Sequence, residues 1–469
     1  MEHVKIKTLG ELNKSGWTSM PIAAEMRKNA IEAIRSGRGL FDGIHGYENT
    51  VMPQLETAIL AGHDVILLGE RGQGKSRIIR SLVSLLDEWL PIVEGSEIND
   101  DPTNPVSVYA KELIAKNGDE TPIAWVHRSA RFGEKLATPD TSMADLIGDV
   151  DPIKVAEGRY LSDELTMHFG LVPRTNRGIF AINELPDLSE RIQVGLLSIL
   201  EERDIQIRGY RISLPLDIFL IASANPEDYT NRGRLITPLK DRFGSQIRTH
   251  YPLSSAIELE IVDQEALFYD DEDSNIYFPQ HLRGVVALVS ELARRAPNIN
   301  QKSGVSVRAT VANYEALSAA ALRRTLISDS PDAVVRPCDF WVLASSMSGK
   351  IELDTVDDTD EVMVISKLVD RANLEVFRSL VTLDELRPLV ATFDEGFEVT
   401  VGEDGSDEHL AKALESSPET QLVIDRIEPS ALPQAKLGAL EFVLEGLHLA
   451  KRLNKYEGDA GSIYAKRTR

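Results

Sequence analysis

A doubly wound α/β domain, built on a parallel sheet and followed by a long helical region, is the fold class the sequence predicts. Two observations carry that expectation. Val65-Ile66-Leu67-Leu68, Ile123-Ala124-Trp125-Val126, Ile179-Phe180-Ala181-Ile182 and Ile218-Phe219-Leu220-Ile221-Ala222 are continuous apolar runs, with Gln246-Ile247-Arg248-Thr249 a weaker fifth. Separated by segments of helical period, such runs are what strands buried on both faces leave in a sequence. The second observation is that the first run opens directly into Gly69-Glu70-Arg71-Gly72-Gln73-Gly74-Lys75-Ser76 and then into a helical-looking segment.

That octet is a complete G-x-x-x-x-G-K-[ST]. Its glycines let backbone N–H groups turn inward around phosphate oxygens, and the following helix adds the positive end of its dipole. Lys75 can reach the β- and γ-phosphates, and Ser76 can ligate Mg²⁺. Residues 69 to 76 are therefore read as a nucleotide cradle.

Composition bounds the rest. At 469 residues and 42% hydrophobic the chain is long enough for about two or three globular domains. A formal charge of −23 argues against a nucleic-acid surface, which needs clustered Lys and Arg. A single cysteine, Cys338, excludes an internal disulfide and fits a reducing compartment, the cytoplasm. No run approaches about eighteen apolar residues, and the first residues carry no apolar signal core, so neither a membrane span nor export is expected.

Along the chain, residues 1–39 read as a leader carrying one helix, from Pro21 to about Ser36, where Ile22, Met26, Ala30, Ile31 and Ile34 recur at helical spacing. Val51, Leu55, Ala58 and Ile59 give a second helix before the first strand. The stretch 94–117 is rich in Asp, Asn and Pro and reads as a surface insertion without chemistry. The nucleotide domain spans 40–252. Helical segments then run from 253 to 349 as a separate subdomain, and 350–469 is an acidic, mostly helical extension. Its last helix, at 432–453, carries Leu437, Leu440, Val443, Leu444, Leu447 and Leu449 and must bury that face, in the same chain or against a partner.

Hydrolysis needs more than a cradle: a water must be oriented, and charge developing on the γ-phosphoryl must be met. Ile179-Phe180-Ala181-Ile182-Asn183-Glu184 is an apolar strand ending in polar residues, where Glu184 is the candidate base and Asn183 the candidate metal support. Asn183 can hold a metal-bound water but supplies no full negative charge. Asn225, at the end of the run 218–222, can hold the attacking water or a γ-phosphate oxygen, and Arg242 in Asp241-Arg242-Phe243-Gly244 is placed to reach another subunit's phosphate. Arg308, opening a helix of the second region, is a further candidate phosphate contact.

In this order the motifs resemble the AAA+ ATPases, and within them the group of magnesium-chelatase ATPase subunits and MoxR-type proteins. The resemblance covers about residues 41–347 and also rests on Ser142-Met143-Ala144-Asp145-Leu146-Ile147-Gly148-Asp149-Val150-Asp151, on Phe169-Gly170-Leu171-Val172-Pro173-Arg174-Thr175-Asn176-Arg177-Gly178 and on Asn225-Pro226-Glu227. It implies an AAA+ core with a helical lid, Lys75 and Ser76 as Walker A, and Asn183 and Glu184 as Walker B, where the family has Asp before the Glu. It further implies Asn225 as sensor 1, Arg242 as arginine finger, Arg308 as sensor 2, and a helix interrupted by a β-hairpin near Ile192 to Gly209. The family uses ATP and Mg²⁺ and forms rings, commonly hexamers. The expected function is a ring-forming ATPase that remodels or activates a partner protein, often one with a von Willebrand A-type domain. The alternatives are the ATPase subunit of a magnesium chelatase inserting Mg²⁺ into a porphyrin, and a nucleotide-gated scaffold with weak hydrolysis. Activators of the alternative sigma factor share the insert class, but their Gly-Ala-Phe-Thr-Gly-Ala loop is absent.

Overall fold

The computed structural model describes residues 6–151, 166–202, 205–207, 210–212, 214–225, 235–267, 276–300, 304–328, 332–353, 360–402, 407–415, 417–458 and 461–467. The chain forms two compact units, Met1–His250 and Tyr251–Arg469.

The strands of the first unit are, in chain order, β1 (Val65–Leu68), β2 (Trp89–Val93), β3 (Ile123–His127), β4 (Phe132–Leu136), β5 (Gly148–Val150), β6 (Met167–Phe169), β7 (Gly178–Asn183), β8 (Ile205–Ile207), β9 (Tyr210–Ile212), β10 (Ile218–Ala224) and β11 (Ser245–Arg248). Five of them make one sheet in the order β11-β1-β10-β7-β4, every neighbouring pair parallel. Apolar clusters cover both faces. Ile66, Phe180, Ile182 and Leu220 enter one, and Val65, Leu67, Ile179, Ala181, Phe219 and Ile221 the other, as the pleat requires. Leu68 is in register with Ala224, and Ala222 with Ile182, so β1, β10 and β7 finish side by side at one edge. In parallel α/β sheets that edge is where ligands bind.

One expected sheet strand is elsewhere. The run Ile123-Ala124-Trp125-Val126 lies in β3, paired antiparallel with β2 outside the main sheet. Only Ile123 is buried, the next four residues are half-buried, and Trp125 donates its indole N–H to the Ile6 carbonyl at 2.9 Å. The fifth sheet strand is β4, Phe132-Gly133-Glu134-Lys135-Leu136, whose two charges conceal it in the sequence.

The helix Ile22–Arg35 is an integral part of this unit. Ile22, Met26 and Ala30 join the same cluster as Ile78, Ile79 and the β1 residues. Glu25, on that helix, holds the fully buried Arg131 through two hydrogen bonds of 2.7 Å each. The stretch 94–117, expected at the surface, is buried in part. Asp100 is fully buried and accepts from the Val106 and Ser107 amides at 2.7 and 2.8 Å and from the Ser96 and Ser107 hydroxyls at 2.6 Å. Four donors let a carboxylate stay inside, which composition alone does not reveal. The helix Glu190–Glu202 leads to β8 and β9, an antiparallel pair. Asp204, Arg208 and Gly209 of the expected hairpin, and Pro226 and Glu227, lie outside the described residues.

The second unit is mostly helical, and among its described residues there are five short strands: β12 (Ile276–Tyr277), β13 (Ala333–Val334), β14 (Val399–Val401), β15 (Leu453–Gly458) and β16 (Gly461–Lys466). Its core draws together Val285, Val289, Tyr314 and Leu343 with Ile365, Phe377, Leu440, Phe442 and Leu447. The leucine-rich helix Pro433–Leu449 is thus buried within its own chain. Gly446 permits that approach, since a Cβ there would fall 2.3 Å from the Phe377 ring. The expected helix at 432–453 stops at Leu449, and Leu453 opens β15, which pairs with β16, the middle strand of an antiparallel β14-β16-β15 sheet. Tyr464 is buried with its hydroxyl on Glu445, and Lys455, opposite it on β15, pairs with the same carboxylate at 2.9 Å.

Candidate functional site

The octet 69–76 connects β1 to the helix Lys75–Ser81. Gly72 and Gly74 have φ of 76° and 70°, the left-handed region that glycine enters without strain. At Gly69 the limit is space: a Cβ would fall 1.8 Å from Thr249 Oγ1 and 2.3 Å from Gln73 Oε1. Gln73 turns inward, where its Oε1 accepts from the Glu70 amide at 3.1 Å and the Thr249 hydroxyl at 2.6 Å. Tyr47 lies within hydrogen-bond reach of the Gln73 and His250 carbonyls, at 2.8 and 2.6 Å, and burial pushes its phenol up to about 12. The loop is therefore pinned from behind by neutral partners.

Lys75 is buried. Its Nζ donates to the Gly69 carbonyl, to the Glu70 carbonyl at 2.9 Å and to Asn225 Oδ1 at 2.8 Å. Asn225 in turn donates from Nδ2 to Glu184 Oε2 at 2.9 Å. Lys75, at the start of the helix that follows β1, and Asn225 and Glu184, just past the ends of β10 and β7, thus form one hydrogen-bonded line, Lys75 to Asn225 to Glu184. Glu184 has φ of 54° and ψ of 47°, left-handed for a residue with a Cβ, and its amide donates to Ser223 Oγ at 3.2 Å. A non-glycine held there is strained, and strain of this kind gathers at functional positions.

Asn183 is buried beside it. Its Nδ2 donates to Glu134 Oε1 at 2.6 Å, and its Oδ1 accepts from Ser223 Oγ at 3.2 Å. Glu134 also receives Arg80 Nε at 2.8 Å and Nη2 at 3.1 Å, which raises the guanidinium pKa. Sequence reasoning missed Glu134, Arg80 and Ser223. Nothing in Phe132-Gly133-Glu134-Lys135-Leu136 says that β4 lies against β7, and only the sheet order brings the carboxylate to Asn183.

The remaining candidates stand apart from this line. Ser76 is half-buried on the first turn after Lys75, and Arg71 is exposed. Arg242 is exposed at the end of the helix Thr237–Arg242. Arg308 belongs to the second unit, exposed on the first turn of the helix Val307–Ser328, with its amide donating to Ser306 Oγ at 3.1 Å. Among the described residues no group of three or more His, Cys, Asp or Glu could hold a metal by itself. A cation here would need the oxygens of a bound phosphate, which fits Mg²⁺ and its preference for few protein ligands. No described helix is long and apolar enough to cross a membrane.

A bare glycine loop opening a helix at the edge of a parallel sheet, with a buried lysine, defines a phosphate-loop nucleotide-binding protein. The model of the sigma-54 interaction domain family matches residues 156–242. Curated relatives include magnesium-chelatase subunit ChlI-2, chloroplastic, of Arabidopsis thaliana, 31% identical over 225 residues, 45% of this chain and 47% of that protein. Another is magnesium-chelatase subunit ChlI of Anabaena variabilis, 29% identical over 208 residues, 44% of this chain and 57% of that one. The chain spans about half the length of the curated relatives it matches. A solved chain of the complex between magnesium-chelatase subunits BchI and BchD aligns at 22% identity with a TM-score of 0.35, covering 68% of this chain and 98% of that one. In sequence and in the order of its motifs the chain resembles the AAA+ ATPases of the magnesium-chelatase group.

Proposed function

We propose that the chain hydrolyses ATP with Mg²⁺, works as a ring of identical subunits, commonly six in this group, and uses the cycle to remodel or activate a partner protein. The observation that carries this reading is the hydrogen-bonded line from Lys75 through Asn225 to Glu184. Lys75 now donates to two carbonyls of its own loop and to Asn225. Bound phosphate offers that ammonium a stronger, charged acceptor, so binding would draw Lys75 from Asn225 and leave the Asn225 Oδ1 available to a water. Glu184, already held by Asn225 Nδ2, is then placed to take a proton from that water. Ser76 and the side chains around Asn183 would hold Mg²⁺, which when bound neutralises charge on the phosphate oxygens. Arg242 would meet the γ-phosphate of an adjacent subunit, and Arg308 would contact phosphate from the second unit.

A second reading, the ATPase subunit of a magnesium chelatase, is favoured by the relatives named above, which carry that description. The identity of the partner, a von Willebrand A-type protein or the other chelatase subunits, separates the two. The third, a nucleotide-gated scaffold with weak hydrolysis, rests on Asn183. The single cysteine supports a cytoplasmic location.

The test is a pair of variants. Lys75→Ala should lose ATP binding, because the phosphates lose their point charge, whereas Glu184→Gln should bind ATP with about the parent affinity and turn over at least on the order of a hundredfold more slowly. Equilibrium binding of a fluorescent ATP analogue and phosphate release measure the two effects separately. Turnover by Glu184→Gln at the parent rate would remove Glu184 from the role of base.

A further inference from the structure

One charge is missing from the reaction as described, because Asn183 is neutral where the resembled family has a carboxylate. The structure places a carboxylate one strand away. In the β4–β7 register Glu134 faces Ala181 and Leu136 faces Asn183, so Glu134 and Asn183 project from the same face of the sheet, two residues apart along the strands. Their contact is short, 2.6 Å from Asn183 Nδ2 to Glu134 Oε1, and Ser223 Oγ fixes the other end of the same amide at 3.2 Å. The amide is therefore oriented, and it orients the carboxylate. The Glu134 side chain is only 22% exposed, while its ion-pair partner Arg80 is 63% exposed and reaches in from solvent. Arg80 also stands four residues after Ser76, on the same face of the helix Lys75–Ser81.

We propose that Glu134 supplies the metal-side negative charge that Asn183 lacks, with Asn183 as its positioning residue and Arg80 as its counter-ion when no metal is present. Carboxylate and amide have in effect exchanged strands. A partly buried carboxylate without a cation carries a desolvation cost, and Arg80 answers that cost until a divalent ion replaces it. The guanidinium is mostly in solvent, so it can withdraw into water as the divalent ion takes its place beside Glu134. Metal binding and release of Arg80 are then the same event. The scaffold reading, which depended on a deficient metal site, loses its basis.

This inference rests on the nucleotide-site reading above, and its test uses Mn²⁺ in place of Mg²⁺. Mn²⁺ binding to the full chain, saturated with a non-hydrolysable ATP analogue, is followed by electron paramagnetic resonance for the parent, Glu134→Gln, Asn183→Asp and the double variant. Glu134→Gln should weaken Mn²⁺ on the order of tenfold to a hundredfold and leave metal-free nucleotide affinity unchanged. The double variant, with the carboxylate moved back to position 183, should recover most of that loss. Mn²⁺ affinity in Glu134→Gln within about twofold of the parent, well short of the loss usual for a supporting carboxylate, would overturn the proposal. A double variant as weak as the single one would do the same, making Glu134 a structural partner only. Should Glu134→Gln fail to fold, Arg80→Ala decides, because removing the exposed counter-ion should strengthen Mn²⁺ binding severalfold even at high salt, where remote charges are screened. An unchanged affinity in Arg80→Ala would count against the proposal. A parent protein that binds no nucleotide either with or without metal would overturn the nucleotide-site reading and this inference with it.

Discussion

At the scale of single residues, the site combines one strained position with several neutral anchors. Glu184 sits in a left-handed conformation that its amide bond to Ser223 and its carboxylate bond to Asn225 hold from both sides. Away from the site, His281 of the second unit is buried, and among the described residues neither ring nitrogen makes a hydrogen bond. Burial lowers its pKa from 6.5 to about 4, although the Glu428 carboxylate stands 3.7 Å from Nδ1 and pulls the other way. Below pH 6.5 the unfolded chain takes up a proton that the folded unit refuses, so the histidine's contribution is complete above that pH and is lost as pH falls toward about 4. Between about pH 7.5 and about pH 5 the loss is about 2 kcal/mol. Urea unfolding at the two pH values, for the parent and His281→Phe, should show that much more acid destabilisation in the parent. Equal changes in both proteins would show that His281 is protonated while folded.

At the scale of elements, local patterns were legible and partners far apart in the chain were not. The helix Ile22–Arg35 falls within a residue of its expected bounds because Ile22, Met26 and Ala30 keep a 3.6-residue period. Its tie to the sheet, Glu25 to Arg131, joins residues 106 apart, and no periodicity reports it. β1, β7 and β10 could be read from their apolar runs, whereas β4 could not, since it carries Glu134 and Lys135. Likewise Lys75, Asn183, Glu184 and Asn225 were visible as motif residues, while Glu134 became visible only once β4 lay beside β7. The Glu25–Arg131 pair yields a prediction at this scale. Arg131→Met leaves a buried carboxylate unpaired and should cost about 3–5 kcal/mol, whereas Glu25→Leu combined with Arg131→Met should recover most of it. Guanidinium unfolding monitored by tryptophan fluorescence measures both. A single variant within about 1 kcal/mol of the parent would mean that the pair does not anchor the helix, since breaking a buried pair costs several times that.

At the scale of the whole molecule, the two compact units divide the chemistry and the remaining bulk of the chain. The first holds the line from Lys75 to Glu184, and the second holds Arg308 and the buried helix Pro433–Leu449. That helix has Leu440, Phe442, Val443 and Leu447 fully buried against its own chain, so its apolar face needs no partner protein to cover it. Arg242 is exposed at the end of the helix Thr237–Arg242. If turnover needs an arginine from a neighbour, activity belongs to the assembly and not to the single chain, and the loss of that arginine can be worth several orders of magnitude. The most direct measurement is ATP turnover recorded together with particle mass, with and without nucleotide, for the parent and for Arg242→Ala mixed with Glu184→Gln. Turnover should appear only where the mass is a multiple of the subunit mass. Each variant should be nearly inactive alone, and mixing them should restore activity, since some interfaces then pair an intact Glu184 with an intact Arg242. Full turnover by a particle of single-subunit mass, or no recovery in verified mixed assemblies, would contradict a ring ATPase.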